Sequence, residues 1–186
     1  MQNNEPILIA TSSLNKVREI QALLNRPVER VEIDLAEVQA VKVEDVIEQK
    51  AREAYTKLGR PALVEDTGLS IRAWNGLPGA LVRWFLKTVG PAGICQMLDP
   101  FPDRAASAKT CLGLFDGTQA LVFTGQVEGA IAPFPRGEGG FGWDSIFIPA
   151  GWKKTFAEMT PEEKNAVSMR RKAVDQLKTY LESIKS

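Results

Sequence analysis

Residues 106–127, ASAKTCLGLFDGTQALVFTGQV, decide the fold. Two runs rich in apolar and β-branched side chains, 106–115 and 119–127, flank Asp116-Gly117-Thr118. A short glycine-bearing connection between two such runs predicts a β-hairpin. Outward toward the N-terminus, 61–64 reads as a strand ending at Glu65-Asp66-Thr67-Gly68, Asn75-Gly76 as a turn, and 80–88 and 91–98 as helices. Farther out, Ile7-Leu8-Ile9-Ala10 is a short buried strand running into the hydroxyl-rich turn Thr11-Ser12-Ser13. A helix follows, with Leu14, Val17, Ile20 and Leu24 inward and Ser13 as its N-cap. A strand over 28–33 leads through the acidic loop 34–37 into a helix over 43–58, closed by Gly59. Toward the C-terminus, 145–148 is one more strand, and Thr160-Pro161-Glu162-Glu163 has the form of a capping box with proline at the first helical position. Ser168 caps a last helix whose inward stripe is Ala173, Leu177, Tyr180, Leu181 and Ile184. Helices interleaved with strands and one hairpin give an α/β protein around a mixed sheet.

At 186 residues the chain suffices for one domain with a substantial core, with or without a division into two lobes. Lys+Arg and Asp+Glu both number 23, so no overall field draws the chain toward polynucleotide or membrane. The start, MQNNEP, has neither a basic leader nor an apolar run, and no stretch approaches the roughly 20 apolar residues that cross a bilayer. Cys95 and Cys111 lack the spacing of a zinc knuckle or a disulfide framework, and a cytoplasmic protein is the expectation. Histidine is absent. That excludes a Ser-His-Asp triad, a Cys-His pair and an imidazole metal ligand, so acid–base work falls to carboxylates, lysines or metal-bound water. A metal here would take oxygen ligands, which selects Mg²⁺ or Mn²⁺.

Residues 135–171, PRGEGGFGWDSIFIPAGWKKTFAEMTPEEKNAVSMRR, carry the chemistry. For most of this length neither helical nor strand periodicity holds. Phe141 and Trp143 flank Gly142, with Asp144 next and the cations Lys164 and Arg170 beyond, which are the parts that hold a nucleotide base and its phosphates. For either aromatic alone, a place in the core is the competing reading. The glycines from Gly137 to Gly142 satisfy GxGxxG but precede a strand instead of opening a helix, so they predict a flexible loop and not a dinucleotide fingerprint. At the other end, the turn Thr11-Ser12-Ser13 and Lys16 form a natural phosphate cradle at a helix start, though on the segment alone an ordinary capped helix with a solvated lysine is the better reading. Asp66 is placed at a strand end with Glu65 beside it, and alternation sends one of the two toward the cleft and the other away. Glu37 could complete a hard-cation site with Asp66.

Together the segments ILIATSSLNKVREI, IDLAEVQ, VEDTGLSI, NGLPG, WFL, GGFGWDSIF and TFAEMTPEEKNAVSMRRKA resemble the non-canonical purine nucleoside triphosphate pyrophosphatases, the inosine triphosphatase family. They occur in that family's order and cover nearly the whole chain. The resemblance implies a single domain over 1–186, built as an elongated mixed β-sheet flanked by helices, with two lobes and a central nucleotide-binding cleft. It also implies a homodimer and Mg²⁺-dependent hydrolysis of ITP, dITP and XTP to the monophosphate and pyrophosphate. Carried over residue by residue, Thr11, Ser12, Ser13 and Lys16 would form the first phosphate loop, and Lys50 would reach the triphosphate. Glu37 and Asp66 would serve the metal, Asp66 also acting on the attacking water. Thr67 and Arg83 would line the phosphate side. Phe141, Gly142, Trp143, Asp144, Lys164, Ser168 and Arg170 would surround base and ribose.

Three positions depart from the family pattern. Thr11-Ser12-Ser13 stands for TGN, Ser168-Met169-Arg170 for SHR, and Ser145 for the proline of GWDP. The second exchanges an imidazole for a thioether beside the base, so a changed base preference is one alternative, and a nucleotide-binding homologue with weak turnover is another. A panel of triphosphates separates them.

Overall fold

The computed structural model describes residues 6–36 and 38–184. Three apolar clusters hold together two sheets whose strands meet at one residue. The first sheet is parallel, β1 (Ile7–Ala10) with β2 (Val28–Val31). The second is antiparallel in the order β4-β3-β5-β6-β7, from β3 (Val64–Ile71), β4 (Pro78–Gly79), β5 (Ala105–Phe115), β6 (Ala120–Ile131) and β7 (Phe147–Pro149). Leu63 joins them: its N–H donates to the Leu8 carbonyl at 2.8 Å, and its carbonyl accepts from Ala10 at 2.8 Å. Beyond Leu63 the two sheets part, and β3 regains a neighbour on that side only at Leu69, opposite Gly79 of β4. The expected mixed sheet is present, with a split in it.

The hairpin that set the fold class is longer than its sequence signal, with eleven pairs from Ala105–Ala130 to Phe115–Ala120. Asp116 fixes its turn, one carboxylate oxygen accepting from the Thr118 and Gln119 amides and the Thr118 hydroxyl, which hold its pKa down at about 2. Helix α2 (Val43–Leu58) lies on one face of β5, burying Val43, Val46, Ile47, Ala51 and Ala54, and ends at Gly59 with φ 67°. Helix α6 (Met169–Ser183) lies on the other. Gly125 admits it there, because a Cβ at that position would sit 1.9 Å from the Met169 carbonyl oxygen. Helices α1 (Leu14–Leu24), α3 (Val82–Thr88), α4 (Gly90–Met97) and α5 (Pro161–Val167) complete the layers.

Several boundaries move. The strand expected over 61–64 begins at Val64 and continues to Ile71, because β5 offers eight consecutive partners to VEDTGLSI. Asp66 therefore sits inside a strand and not at its end. The strand over 28–33 stops at Val31, 145–148 becomes Phe147–Pro149, and α3 starts at Val82. Ile184 is 49% exposed, as the residue that caps the C-terminus of α6, and lies outside the inward stripe, whose last buried member is Leu181.

Candidate active site

The split between β1 and β4 opens a cleft of about 690 Å³. Thr11, Ser12, Ser13 and Lys16 enter it from the β1–α1 turn, Lys50 from α2, Asp66 and Thr67 from β3 and Arg83 from α3. Phe141, Gly142, Trp143, Asp144 and Arg170 close the far end. At the α1 start the hydroxyls satisfy part of the backbone: Thr11 Oγ1 accepts from the Ser13 amide at 3.1 Å and Ser13 Oγ from the Lys16 amide at 3.4 Å. Lys16 reaches back to β3, its Nζ 3.5 Å from both the carbonyl and the carboxylate of Glu65.

Strand alternation puts Glu65 and Asp66 on opposite faces of β3, as expected, yet both line the cleft, because the cleft cuts through the sheet instead of lying on one side. The environments differ. Asp66 is half-buried, with Lys50 Nζ 3.8 Å from its Oδ1. Glu65 is fully buried and bidentate to Arg170, at 3.0 Å from Nε and 2.8 Å from the second terminal nitrogen. Burial works to raise the Glu65 pKa, but the charges of Arg170 and then Lys16 prevail and bring it down to about 2. The same pairing raises Arg170 against the opposing effect of its burial.

The base-side residues assemble from four separate elements. Lys164, buried on α5, donates to Asp144 at 2.6 Å and to Glu19 of α1 at 2.9 Å. Arg170 also donates to Glu19. Phe141 lies under both cations, with Lys164 Nζ 4.9 Å and the Arg170 guanidinium carbon 5.6 Å from its ring centre. Burial pushes the Asp144 carboxyl up, opposed by Lys164, and its Oδ2 also accepts from the Phe141 amide at 2.8 Å. Asp144 thus holds the loop and Lys164 in place.

Three expectations change in detail. Trp143 is a core aromatic, 5.6 Å from the Phe147 ring and 6.3 Å from that of Phe156, so of the two aromatics Phe141 alone is half-exposed for stacking. The glycine run lies close against its neighbours: a Cβ on Gly140, at φ 71°, would sit 2.3 Å from Asp144 Oδ2, and one on Gly137 would meet the Ala157 backbone. Ser168 is buried as the α6 N-cap, accepting from the Arg171 amide at 3.2 Å, and does not line the cleft. Lys164 borders an adjoining recess instead. Met169 does line the cleft beside Arg170, as expected, while 2% exposed within the apolar cluster that holds Trp143 and Ile146, an environment suited to a thioether. Glu37 lies outside the described residues. Sequence reasoning missed Glu19 altogether and weighed Glu65 only as a neighbour of Asp66. One signal existed for Glu19, its spacing of three from Lys16 on an amphipathic helix.

A family model described as the Ham1 family matches residues 7–180. An inosine triphosphate pyrophosphatase 2 of Trypanosoma cruzi is 43% identical over 183 residues, covering 96% of this chain and 93% of its own. A dITP/XTP pyrophosphatase of Hyperthermus butylicus is 43% identical over 178 residues, covering 94% of each. Among solved structures, a HAM1 protein from Coxiella burnetii superposes with a TM-score of 0.83 at 33% identity, covering 96% of this chain and 98% of that one.

Proposed function

The chain belongs to the Ham1 family, and from that premise we propose that it hydrolyses non-canonical purine nucleoside triphosphates, ITP, dITP and XTP, to the monophosphate and pyrophosphate. The observation that carries this reading is the polarity of the cleft. One end presents hydroxyls with Lys16, Lys50 and Arg83, and the other presents Phe141 beside Lys164 and Arg170, with the half-buried Asp66 on the strand between them. The cations hold the triphosphate in line, and Asp66 orients and deprotonates the water that attacks the α-phosphorus. The α–β bridging oxygen then leaves with pyrophosphate, its developing charge met by Lys16 and Lys50. Donors from Lys164 and Arg170 suit a 6-oxo group, and a site built on such bonds rejects an unmatched base by about 10⁴-fold.

Among the described residues no three Asp, Glu, Cys or His side chains converge into a ready-made metal cage. Mg²⁺ fits nonetheless, with Mn²⁺ as its substitute, since it is commonly held by one or two carboxylates together with substrate phosphates. Asp66 and Glu37 would hold it, and the ion when bound would neutralise phosphate charge and acidify a water. The reading further includes a single domain with two lobes, a cytoplasmic location and a homodimer. Two unpaired buried cysteines support a reducing compartment, and exposed Trp84, Val89 and Met97 around α3 and α4 support a second copy, for which light scattering is the check.

The test is pyrophosphate release from ITP, XTP, GTP and ATP with Mg²⁺, by the native chain and Asp66→Asn. Release from ITP and XTP, abolished by the substitution, supports the enzyme. ITP binding with no release from any of the four makes this a nucleotide-binding protein on the same fold.

A further inference from the structure

Thr110 Oγ1, on β5, is buried and has no hydrogen-bond partner among the described residues. Buried hydroxyls are ordinarily paired, because a bare one has given up its bonds to water and gained none in exchange. Arg136 Nε shares that condition, but its guanidinium bonds elsewhere, donating to the Lys153 carbonyl at 2.8 Å and pairing with Glu158 at 3.3 Å. Thr110 has one hydroxyl and nothing else. Its neighbours on the same face of β5 are Ala108 and Leu112, both 0% exposed, so a valine of the same shape would suit that core. A hydroxyl kept there needs another reason, and the strand register supplies one. Thr110 stands opposite Thr67 of β3 and Gly125 of β6. Leu63 and Ile71 turn their N–H groups away from β5, and Thr67 follows by alternation, so Thr67 and Thr110 are a pair without backbone bonds between them, the closer of the two kinds. Directly opposite residues share a face with Cβ atoms roughly 5 Å apart, and threonines so placed can bond through their hydroxyls. Rotation about one χ1 brings the two oxygens within reach. Thr67 is half-buried and lines the cleft, with Thr110 directly behind it. Gly125, on the far side of Thr110, offers no side chain.

We propose that Thr110 is a positioning residue: when a triphosphate lies across β3, the Thr110 hydroxyl donates to Thr67 Oγ1, and Thr67 donates in turn to a phosphate oxygen. The proposal rests on the nucleotide reading above and adds to it a residue that the ligand does not touch. A phosphate oxygen can only accept, so it takes the Thr67 proton and leaves the Thr67 lone pairs free for Thr110. Two hydroxyls in series polarise one another, and the last bond of the chain, to a charged oxygen, is the strong one. Without a ligand the Thr110 donor stays bare, and its cost weighs on the free protein. With one bound the donor is satisfied, and the Thr67 side chain is held in a single orientation.

The test is a double-mutant cycle on kcat/KM for ITP with Mg²⁺, over Thr67→Val and Thr110→Val. Thr67→Val is expected to lose about 10²-fold, the value of a bond to a charged group, and Thr110→Val about 10-fold. In the Thr67→Val background, Thr110→Val should change the rate by no more than about twofold, since the hydroxyl it served is gone. Thr110→Ser should restore native kinetics, and free Thr110→Val should melt at or above the native temperature, having shed a bare hydroxyl. Equal losses from Thr110→Val in both backgrounds overturn the proposal. So does a lower melting temperature with unchanged kinetics, which gives the hydroxyl a partner in the resting fold. Should Thr110→Val fail to fold, the native chain is labelled at its threonine methyl groups, and the three-bond couplings of Thr67 and Thr110 are read with and without the α,β-methylene analogue of ITP. A change of χ1 rotamer at one of the two is expected, and identical rotamers in both states overturn the proposal. Should the native chain release no pyrophosphate, the catalytic reading fails by itself, and the cycle is run on dissociation constants for the same analogue by calorimetry. Additive losses there, or no binding by the native chain, overturn the role of Thr110 as well.

Discussion

Glu65 and Asp66 are consecutive carboxylates on one strand, and they live in opposite worlds. Glu65 turns toward α1 and α6 and is sealed against Lys16 and Arg170, while Asp66 turns toward α2 and keeps a 3.8 Å contact with Lys50 and an opening to the cleft. The pleat alone separates them. A carboxylate that is buried, bidentate and held near pKa 2 is ionised over the whole working range and moves no proton, whereas the half-open one is placed to meet water. A site of this kind needs both, one to fix the cations and one to act.

Substitutions at the two positions should therefore fail in different ways. Asp66→Asn is expected to lower kcat by roughly 10⁴-fold with a melting temperature close to native, the upper range for loss of a general base. A large loss of stability there would erase the distinction. Glu65→Gln should cost about 3–5 kcal/mol in urea unfolding, because it leaves the Arg170 charge buried without its partner. The pH dependence sharpens this. The folded-state pKa of Glu65 lies below its ordinary 4.5, so its contribution is present above that value and is lost as pH falls from about 4.5 toward 2. Urea melts across that window should show a steep decline for the native chain and a flatter one for Glu65→Gln. Lys50→Ala should lower kcat/KM by about 10²-fold through lost phosphate stabilisation, measured by steady-state kinetics. Smallest is Thr160→Ala, remote from both carboxylates, which removes the α5 cap bond to the Glu163 amide and should cost about 1 kcal/mol with base preference unchanged.

The elements that sequence made legible are those written in local chemistry. The α1 cap at Ser13, the Gly59 stop of α2, the Asp116 turn and the Thr160 box all depend on residues within four positions of one another, and all stand as expected. The extent of β3 did not follow from its own residues, since Glu-Asp-Thr-Gly reads as a turn until β5 supplies its partners. Glu19 was invisible for a stronger reason: its two cations lie 145 and 151 positions away, and each arrives by the packing of a different helix. Trp143 resembled Phe141 in sequence, but two residues along the loop, past Gly142, it turns into the Phe147–Phe156 cluster. Neighbouring residue types announced a nucleotide site, and only the tertiary fold divided those that face the ligand from those that brace it.

The split in the sheet leaves a signature that can be followed without turnover. Leu63 directs its N–H and carbonyl toward β1, and Ile71 donates to Leu77 on the same side, so by strict alternation the N–H groups of Glu65 and Thr67 point into the gap between them. Val64, Asp66 and Gly68 point the other way, into the ladder with β5. Hydrogen–deuterium exchange along this one strand should thus run fast, slow, fast from Glu65 through Asp66 to Thr67. A triphosphate settling across the gap would slow the two fast amides and leave the third as its internal standard.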